Sequence, residues 1–471
     1  MNALLIQPPP PPRPLEAIGP SDLAHTATPW DLLCLRTYLL EHTRHLCDII
    51  DCGFFDDFET GLVARIQERP EAEVAVIHAT GPGLGEAAAV LDILKRHFPT
   101  MKTALCGPYA SQYPQQAAAM PRVDFVLAGD PEPILRNLLD YFDVEPRLQR
   151  VPGLLMNESG NGTPYWLDNL RGLSLPDWQG IFWPAYRTGG SEGSCRAYAR
   201  ISRGHSNTAP DRAWGAAHEP LRLWPADRLA ATFQRCGCMG ITEVFLDDPP
   251  GVWTHDRLHE WCMALGRARN VQSWALQLLP AVLSQDTVAL LRSVLCKRVE
   301  FIVPSCSPEV LAHHGSTVKP SELRGTLALL TAAGIRAHVR LWVGGPEETG
   351  DEESRVVHMI RALDYNPYSL EPFPFVVDSP LYEDFCATSS THIEDWVHWS
   401  RDPWLLNRPV PLWGGSAAIS RLTTSFAKIQ KMTQHDPRRV MKKLLADLTG
   451  RNWIAALEDR LLGLLTQQPP K

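Results

Sequence analysis

Short, apolar runs alternate with helix-like segments through the first 145 residues, and this rhythm narrows the possible folds sharply. The runs cover residues 3–7, 47–52, 74–79, 103–106 and 124–129. Each has the length of a strand buried on both faces. The segments 30–41, 58–68, 85–97, 113–120 and 131–141 between them carry helical spacing. Strand–helix alternation at this interval predicts a parallel sheet covered on both faces. Ligands of such sheets sit beyond the carboxyl ends of the strands.

The predicted strand ends are rich in Gly and Pro. They read Gln7-Pro8-Pro9, Thr80-Gly81-Pro82-Gly83, Cys106-Gly107-Pro108-Tyr109 and Gly129-Asp130-Pro131-Glu132. Glycine lets a ligand approach the backbone closely. Tight strand-to-helix turns use the same residues, so both readings stand. The proline run at 8–12 reads as a rigid loop after the first strand, with a polyproline ligand for a partner domain as the other reading.

A second alternating region follows. Residues from 151 onward read as a connecting hairpin and linker, and strand candidates then fall at 197–202, 243–248, 271–277, 299–305, 335–343 and 368–375. Segments such as 284–295 and 321–333 have helical spacing. Six repeats predict a partial barrel with its chemistry at the strand carboxyl ends. From residue 384 the alternation stops. Trp396, Trp399, Trp404 and Trp413 precede a helical apolar stripe of Leu444, Leu445, Leu448, Ile454, Leu457, Leu461 and Leu464. This predicts a C-terminal helical cap, with a partner-binding face as the alternative.

Composition removes several classes. With 471 residues, 44% hydrophobic and 21% charged, the chain is not disordered. A net charge of −8 argues against a general nucleic-acid binder. The start, MNALLIQPPPPPRP, does not read as a signal peptide. No apolar stretch reaches the roughly 18 residues of a membrane span. Eleven cysteines are too sparse for a disulfide scaffold, so a cytoplasmic, reducing setting is expected.

A resemblance then becomes visible. The proline-rich turn after the first strand, the Gly107-Pro108 turn after the fourth, and VDFVLAGDPEPIL at 123–135 resemble the cobalamin-binding domain that precedes many radical SAM (S-adenosylmethionine) domains. Gly129-Asp130-Pro131-Glu132 varies that family's GEGE motif. The D-x-H-x-x-G signature of methionine-synthase-type domains is absent. That absence fits the radical SAM branch, which typically lacks the histidine ligand below the cobalt. The resemblance implies cobalamin contacts from Gln7, Pro8, Thr80, Gly81, Gly107, Pro108, Tyr109, Gly129, Asp130 and Glu132.

The later region resembles the radical SAM domain over almost its full length. ITEVFLDDPPGVWTHDRLHEWCMAL at 241–265, the stretch 315–360 and EPFPFVVDSPLYEDF at 371–385 match three of its repeats in order. At 201–214 the family reads SRGCxxxCxxC, where three thiolates hold a [4Fe–4S] cluster. Here Ser202-Arg203-Gly204 persist, but the ligand positions hold His205, Ala209 and Arg212. Alanine has no donor atom and arginine stays protonated. No standard cluster is therefore expected, and no metal site. Gln277-Leu278-Leu279-Pro280 and Val303-Pro304-Ser305-Cys306 also depart from the family's pattern, which argues against SAM binding. Asp247, Gly344 and Gly345 remain as a vestigial SAM site. Cys195, Cys236, Cys238 and Cys306 could in principle rebuild a metal site, but free cysteines are commonly small buried hydrophobes. His313 and His314 read as surface or structural groups.

The expected organisation is α/β: a doubly wound, Rossmann-like cobalamin-binding domain at 1–147, a linker at 148–194, a partial (β/α)6 TIM-like radical SAM barrel at 195–385 and a helical region at 386–471. The expected function is that of a cobalamin-binding pseudoenzyme, an accessory or regulatory subunit for a cluster-bearing radical SAM homologue or other pathway protein. The alternative is a cobalamin-dependent, methyltransferase-like enzyme, perhaps using SAM by a non-radical or non-standard route. Neither nucleic acid nor membrane is an expected partner.

Overall fold

The computed structural model describes residues 1–10, 28–80, 83–156, 159–160, 162–181, 183–186, 195–204, 219–236, 239–268, 273–279, 283–313, 320–343, 351–363, 368–372, 424 and 427–429. The predicted C-terminal cap, with its tryptophans and leucine stripe, lies outside these residues.

The first sheet follows the apolar runs. Strands β1 (Asn2–Gln7), β2 (Leu46–Asp51), β3 (Val74–His78), β4 (Lys102–Cys106) and β5 (Phe125–Leu127) are parallel and lie in the order β2-β1-β3-β4-β5. Alternate side chains of each strand enter separate cores. Leu4, Ile6, Ala75, Ile77 and Leu105 pack on one face, and Ala3, Leu5, Val74, Val76 and Ala104 on the other. This two-sided burial is why the strands read as continuous apolar runs rather than alternating ones. The strand order reverses direction at β1 and β3, where open α/β sheets form a ligand crevice.

The hairpin β6 (Leu154–Met156) and β7 (Ser159–Gly160) extends this sheet in antiparallel fashion. The helix expected over 113–120 is α5 (Pro114–Ala119), and a separate short helix, α4 (Pro108–Gln112), precedes it. Pro114 accounts for the break: it has no N–H to continue a helix and suits a first turn.

The second sheet has six parallel strands in chain order. They are β8 (Arg196–Ala199), β11 (Glu243–Leu246), β12 (Ser273–Leu278), β13 (Cys296–Val303), β14 (Arg336–Val343) and β15 (Tyr368–Pro372). The intervening helices α8 (Ala226–Cys236), α9 (His255–Arg267), α10 (Gln285–Ser293), α12 (Pro320–Ala332) and α13 (Glu352–Ala362) share one apolar core with the strands. Side-chain caps mark two helix starts, Thr254 on α9 and Ser284 on α10. The other face of the sheet carries a small apolar cluster of Tyr198, Phe245 and Ala275 beside charged and polar groups. Glu243 accepts from Arg196 at 2.8 Å and from Arg298 at 2.9 Å, and Arg340 donates to Gln277 at 3.3 Å.

The strand expected at 197–202 is interrupted. β8 stops at Ala199, and Ser202–Arg203 form β9, antiparallel to β10 (Arg222–Leu223). The cause is Asp248. Its buried carboxylate accepts from the amides of Ile201 at 2.9 Å and Ser202 at 2.9 Å, and from the Ser202 hydroxyl at 2.6 Å. These bonds replace the sheet ladder at that point.

Helix α1 (Trp30–His42) joins the two halves. Its sequence, WDLLCLRTYLLEH, spreads apolar residues around the helix instead of along one stripe, which predicts packing against more than one neighbour. Leu32, Leu35 and Leu39 pack on the first sheet, while Trp30, Leu33, Cys34 and Tyr38 belong to the core of the second. The preceding Thr28 exchanges two hydrogen bonds with the Tyr198 backbone, at 2.8 and 2.9 Å.

Candidate functional site

The carboxyl ends of the first sheet face the beginning of the second across a cleft with about 560 Å³ of empty volume. On the first side it is lined by His78 and Cys106 at the ends of β3 and β4, by Gly107, Pro108 and Ser111, and by Gly129, Asp130 and Pro131. Asp31, Leu32 and Leu35 of α1 form the wall, with Trp166 beside them. Arg200, Arg203, Gly204 and Glu219 face them from the second half.

Two glycines shape the strand ends. Gly107 has φ +98°, and a Cβ there would come within 2.8 Å of the Ala79 carbonyl and of the His78 ring. Gly129 has φ +107°, and a Cβ would meet the Tyr165 backbone. Both conformations favour glycine strongly. The Tyr165 N–H donates to Ala128 O at 2.9 Å, and the Asp130 N–H donates to Tyr165 O at 2.8 Å.

A charged network closes one side. Arg203 donates to both oxygens of Glu132, at 2.9 and 2.5 Å, and to Asp130 at 3.1 Å. Arg222 pairs with Asp130 and reaches Glu219 at 2.9 Å. The Leu167 N–H also donates to Asp130, at 2.7 Å. Arg203, Arg222, Asp130 and Glu132 are all buried, so each charge depends on its partners. Burial pushes the Glu219 carboxyl up to about 7, against the pull of Arg222.

The second group is Asp31, His78 and Arg200. Although burial opposes its ionisation, the charges of Arg200 and Arg203 hold Asp31 below the usual carboxylate range. Burial depresses His78, which keeps its imidazole neutral. Neither ring nitrogen of His78 has a hydrogen-bond partner, and its Nε2 lies 3.9 Å from Asp31 Oδ2. That separation is too long for a hydrogen bond.

Of the expected cofactor residues, Gly107, Pro108, Gly129 and Asp130 line the cleft. Glu132 lies behind it, held by Arg203. Gln7 and Pro8 sit at the end of β1, Thr80 accepts from the Gly83 N–H at 3.1 Å, and Tyr109 is buried against Tyr113. These four do not line it. Asp247 is set apart, near Arg200 at 3.8 Å and Gln277 at 3.4 Å. Gly81, His205, Ala209, Arg212, Gly344 and Gly345 lie outside the described residues. Among the described residues no group of three or more His, Cys, Asp or Glu could hold a metal ion. Cys195 and Cys236 are buried, Cys306 is half-buried, and Cys238 and His314 lie outside the described residues.

Sequence reading missed Asp31, His78, Arg200, Arg203 and Glu219 as cleft groups. The one legible signal was His78, a titratable residue closing an otherwise apolar strand.

Bare backbone at Gly107 and Gly129, beside the apolar side chains of Leu32, Leu35 and Trp166, would suit the edge of a flat macrocycle. The donor set at 205, 209 and 212 cannot supply three thiolates.

Comparison with known proteins gives the fold. No family model matches the chain. It is 22% identical over 390 residues to an uncharacterized methyltransferase of Pyrococcus horikoshii, covering 79% of this chain and 81% of that protein. Among solved structures it is similar to the radical S-adenosylmethionine methyltransferase TsrM from Kitasatospora setae, with cobalamin and a [4Fe-4S] cluster bound. The TM-score is 0.62 at 16% identity, over 82% of this chain and 78% of that one. It is also similar to the cobalamin-dependent S-adenosylmethionine radical enzyme OxsB with aqua-cobalamin bound, at a TM-score of 0.54 and 11% identity, over 91% of this chain and 61% of that one. The chain has the fold of the cobalamin-dependent radical SAM enzymes.

Proposed function

We propose that the protein binds cobalamin in the cleft between its two sheets, lacks the standard cluster, and acts as an accessory or regulatory pseudoenzyme with a cluster-bearing radical SAM partner. The observation that carries this reading is the pairing of Arg203 with Glu132. It joins the retained Ser202-Arg203-Gly204 segment to the Gly129-Asp130-Pro131-Glu132 turn at the cleft. The scaffold around the cofactor is thus kept, while the ligand positions that follow hold His205, Ala209 and Arg212. The domain boundaries 1–147, 148–194, 195–385 and 386–471 are part of this reading, as is a reducing, cytoplasmic setting. All nine cysteines among the described residues are free thiols. No helix among the described residues is long and apolar enough to cross a membrane.

Cobalamin supplies alkyl-carrier chemistry when bound. The chain's own residues would present bare backbone at Gly107 and Gly129, fix the two halves through Arg203, and hold neutral His78 beside the ligand.

A second reading is a cobalamin-dependent, methyltransferase-like enzyme working by a polar route. It is favoured by Glu219, whose carboxyl titrates near 7 in the same cleft. Such a group can exchange protons at neutral pH.

Anaerobic purification with supplied iron, sulfide and hydroxocobalamin, followed by metal analysis, tests both. Stoichiometric cobalt with little iron is expected. About four irons per chain would overturn the pseudoenzyme reading, and a colourless protein would overturn the cofactor reading. Methyl transfer from SAM by the cobalt-loaded, iron-free protein alone would favour the second reading.

A further inference from the structure

We infer that Asp31 and Arg200 form a subsite for the zwitterionic head group of a free α-amino acid, Asp31 taking the ammonium and Arg200 the carboxylate. The subsite lies in the cleft of the proposed function but does not rest on the cobalamin reading, since neither side chain is assigned to the corrin.

The two groups come from different halves of the molecule. Asp31 stands in the first turn of α1, and Arg200 follows the end of β8. Both line the cleft. Oδ2 of Asp31 and Nη1 of Arg200 are 3.7 Å apart, too far for a hydrogen bond. Neither side chain hydrogen-bonds another described residue: the His78 ring stays 3.9 Å from Asp31, and Asp247 stays 3.8 Å from Arg200. Their side chains are 30% and 44% exposed, so a ligand in the cleft can reach both. A neighbouring carboxylate and guanidinium readily close into a two-pronged pair, as Arg203 and Glu132 do nearby. Here the donors and the acceptor stay open side by side.

Charge decides the ligand class. Arg203 and Arg222 are committed to Glu132, Asp130 and Glu219, which leaves Arg200 and Asp31 to each other. A plain anion on Arg200 would meet the Asp31 carboxylate at close range. A plain cation would satisfy Asp31 and leave the Arg200 guanidinium without an acceptor. A ligand with both charges on neighbouring atoms satisfies both groups at once, and the α-amino acid head group is such a ligand. Asp247 approaches the other terminal nitrogen of Arg200 and steadies the guanidinium. Leu32, Leu35 and Trp166 give the side chain of the amino acid an apolar wall.

The test uses the full chain, with and without bound hydroxocobalamin. Thermal melts with each common α-amino acid find the best ligand, and calorimetry then compares it with its methyl ester and its N-acetyl derivative. The free amino acid should raise the melting temperature, and each blocked derivative should bind about tenfold more weakly or worse, as for loss of a charged hydrogen bond. Arg200→Met should lose the discrimination against the ester and keep that against the N-acetyl form. Asp31→Asn should do the reverse. Arg200→Lys, which keeps the charge, should retain the discrimination against the ester and holds the assignment if Arg200→Met does not fold. Stabilisation by no free amino acid, equal binding of either blocked derivative, or unchanged discrimination in the variants overturns the subsite. Tighter binding of S-adenosylmethionine than of any free amino acid overturns the ligand class. Amino-acid binding by a protein that does not retain cobalamin supports the subsite and overturns only the cofactor reading.

Discussion

Arg203, on β9, and Glu132, in the first turn of α6 (Pro131–Asp140), form a two-pronged ion pair between residues 71 positions apart. Both side chains are buried, at 7% and 0% exposure. The pair fastens the second half of the molecule to the first at the edge of the cleft.

Removing Glu132 leaves Arg203 with Asp130 alone, at 3.1 Å. Glu132→Ala is expected to cost about 3–5 kcal/mol in urea unfolding, the range for breaking a buried pair. Pairing Glu132→Leu with Arg203→Met should recover much of that loss. A single-mutant cost below about 1 kcal/mol would mean that water reaches the pair, as it does at exposed salt bridges.

The two cleft glycines predict different failures. Gly107→Ala forces a left-handed backbone on alanine and drives a methyl group toward the His78 ring. It should cost about 1–3 kcal/mol through backbone strain and weaken cobalamin retention. Gly129→Ala meets backbone instead of a movable ring, at Tyr165, so its melting temperature should fall further. Equal effects would show that the Tyr165 segment gives way.

The pH dependence of stability has a definite sign. Burial raises Glu219 from 4.5 to about 7, so the folded state holds a proton that the unfolded state has lost. Its contribution is full at acid pH and declines as pH rises from 4.5 to about 7. Glu219→Gln should flatten that decline, which urea midpoints at several pH values would reveal. His78 acts oppositely: burial lowers it, so its contribution is present above about pH 6.5 and lost on acidification.

Trp178 anchors the connecting segment. It packs 5.6 Å from Trp30 of α1 and 5.6 Å from Trp183, and its carbonyl accepts from the Trp183 indole N–H at 2.5 Å. Trp178→Ala should cost about 3–5 kcal/mol, the range for deleting a buried aromatic. Trp183→Phe, which removes only the indole donor, should cost less. Denaturant titration of both variants checks the order.

Much of the fold was legible. The predicted runs at 74–79 and 103–106 became β3 and β4 with ends shifted by at most one residue. The predicted strands at 335–343 and 368–375 became β14 and β15. Strands buried on both faces must be apolar throughout, so composition alone marks them. The break of β8 was not legible, because it depends on a carboxylate 47 residues later in the chain accepting the Ile201 amide. The cleft was partly legible. Its glycines were visible as turn residues, but its charges were not. Arg203 was seen only as a retained motif residue, with no indication that Glu132 holds it.

The sequence by itself determined the strand–helix rhythm, the parallel α/β class and the loss of thiols at 205, 209 and 212, since each follows from local periodicity or residue chemistry. Only the tertiary structure decided that Asp31, His78, Arg200 and Arg203 share one cleft. Their meeting depends on strand order and on α1 being buried between two cores. Those are products of long-range packing, which no local pattern encodes.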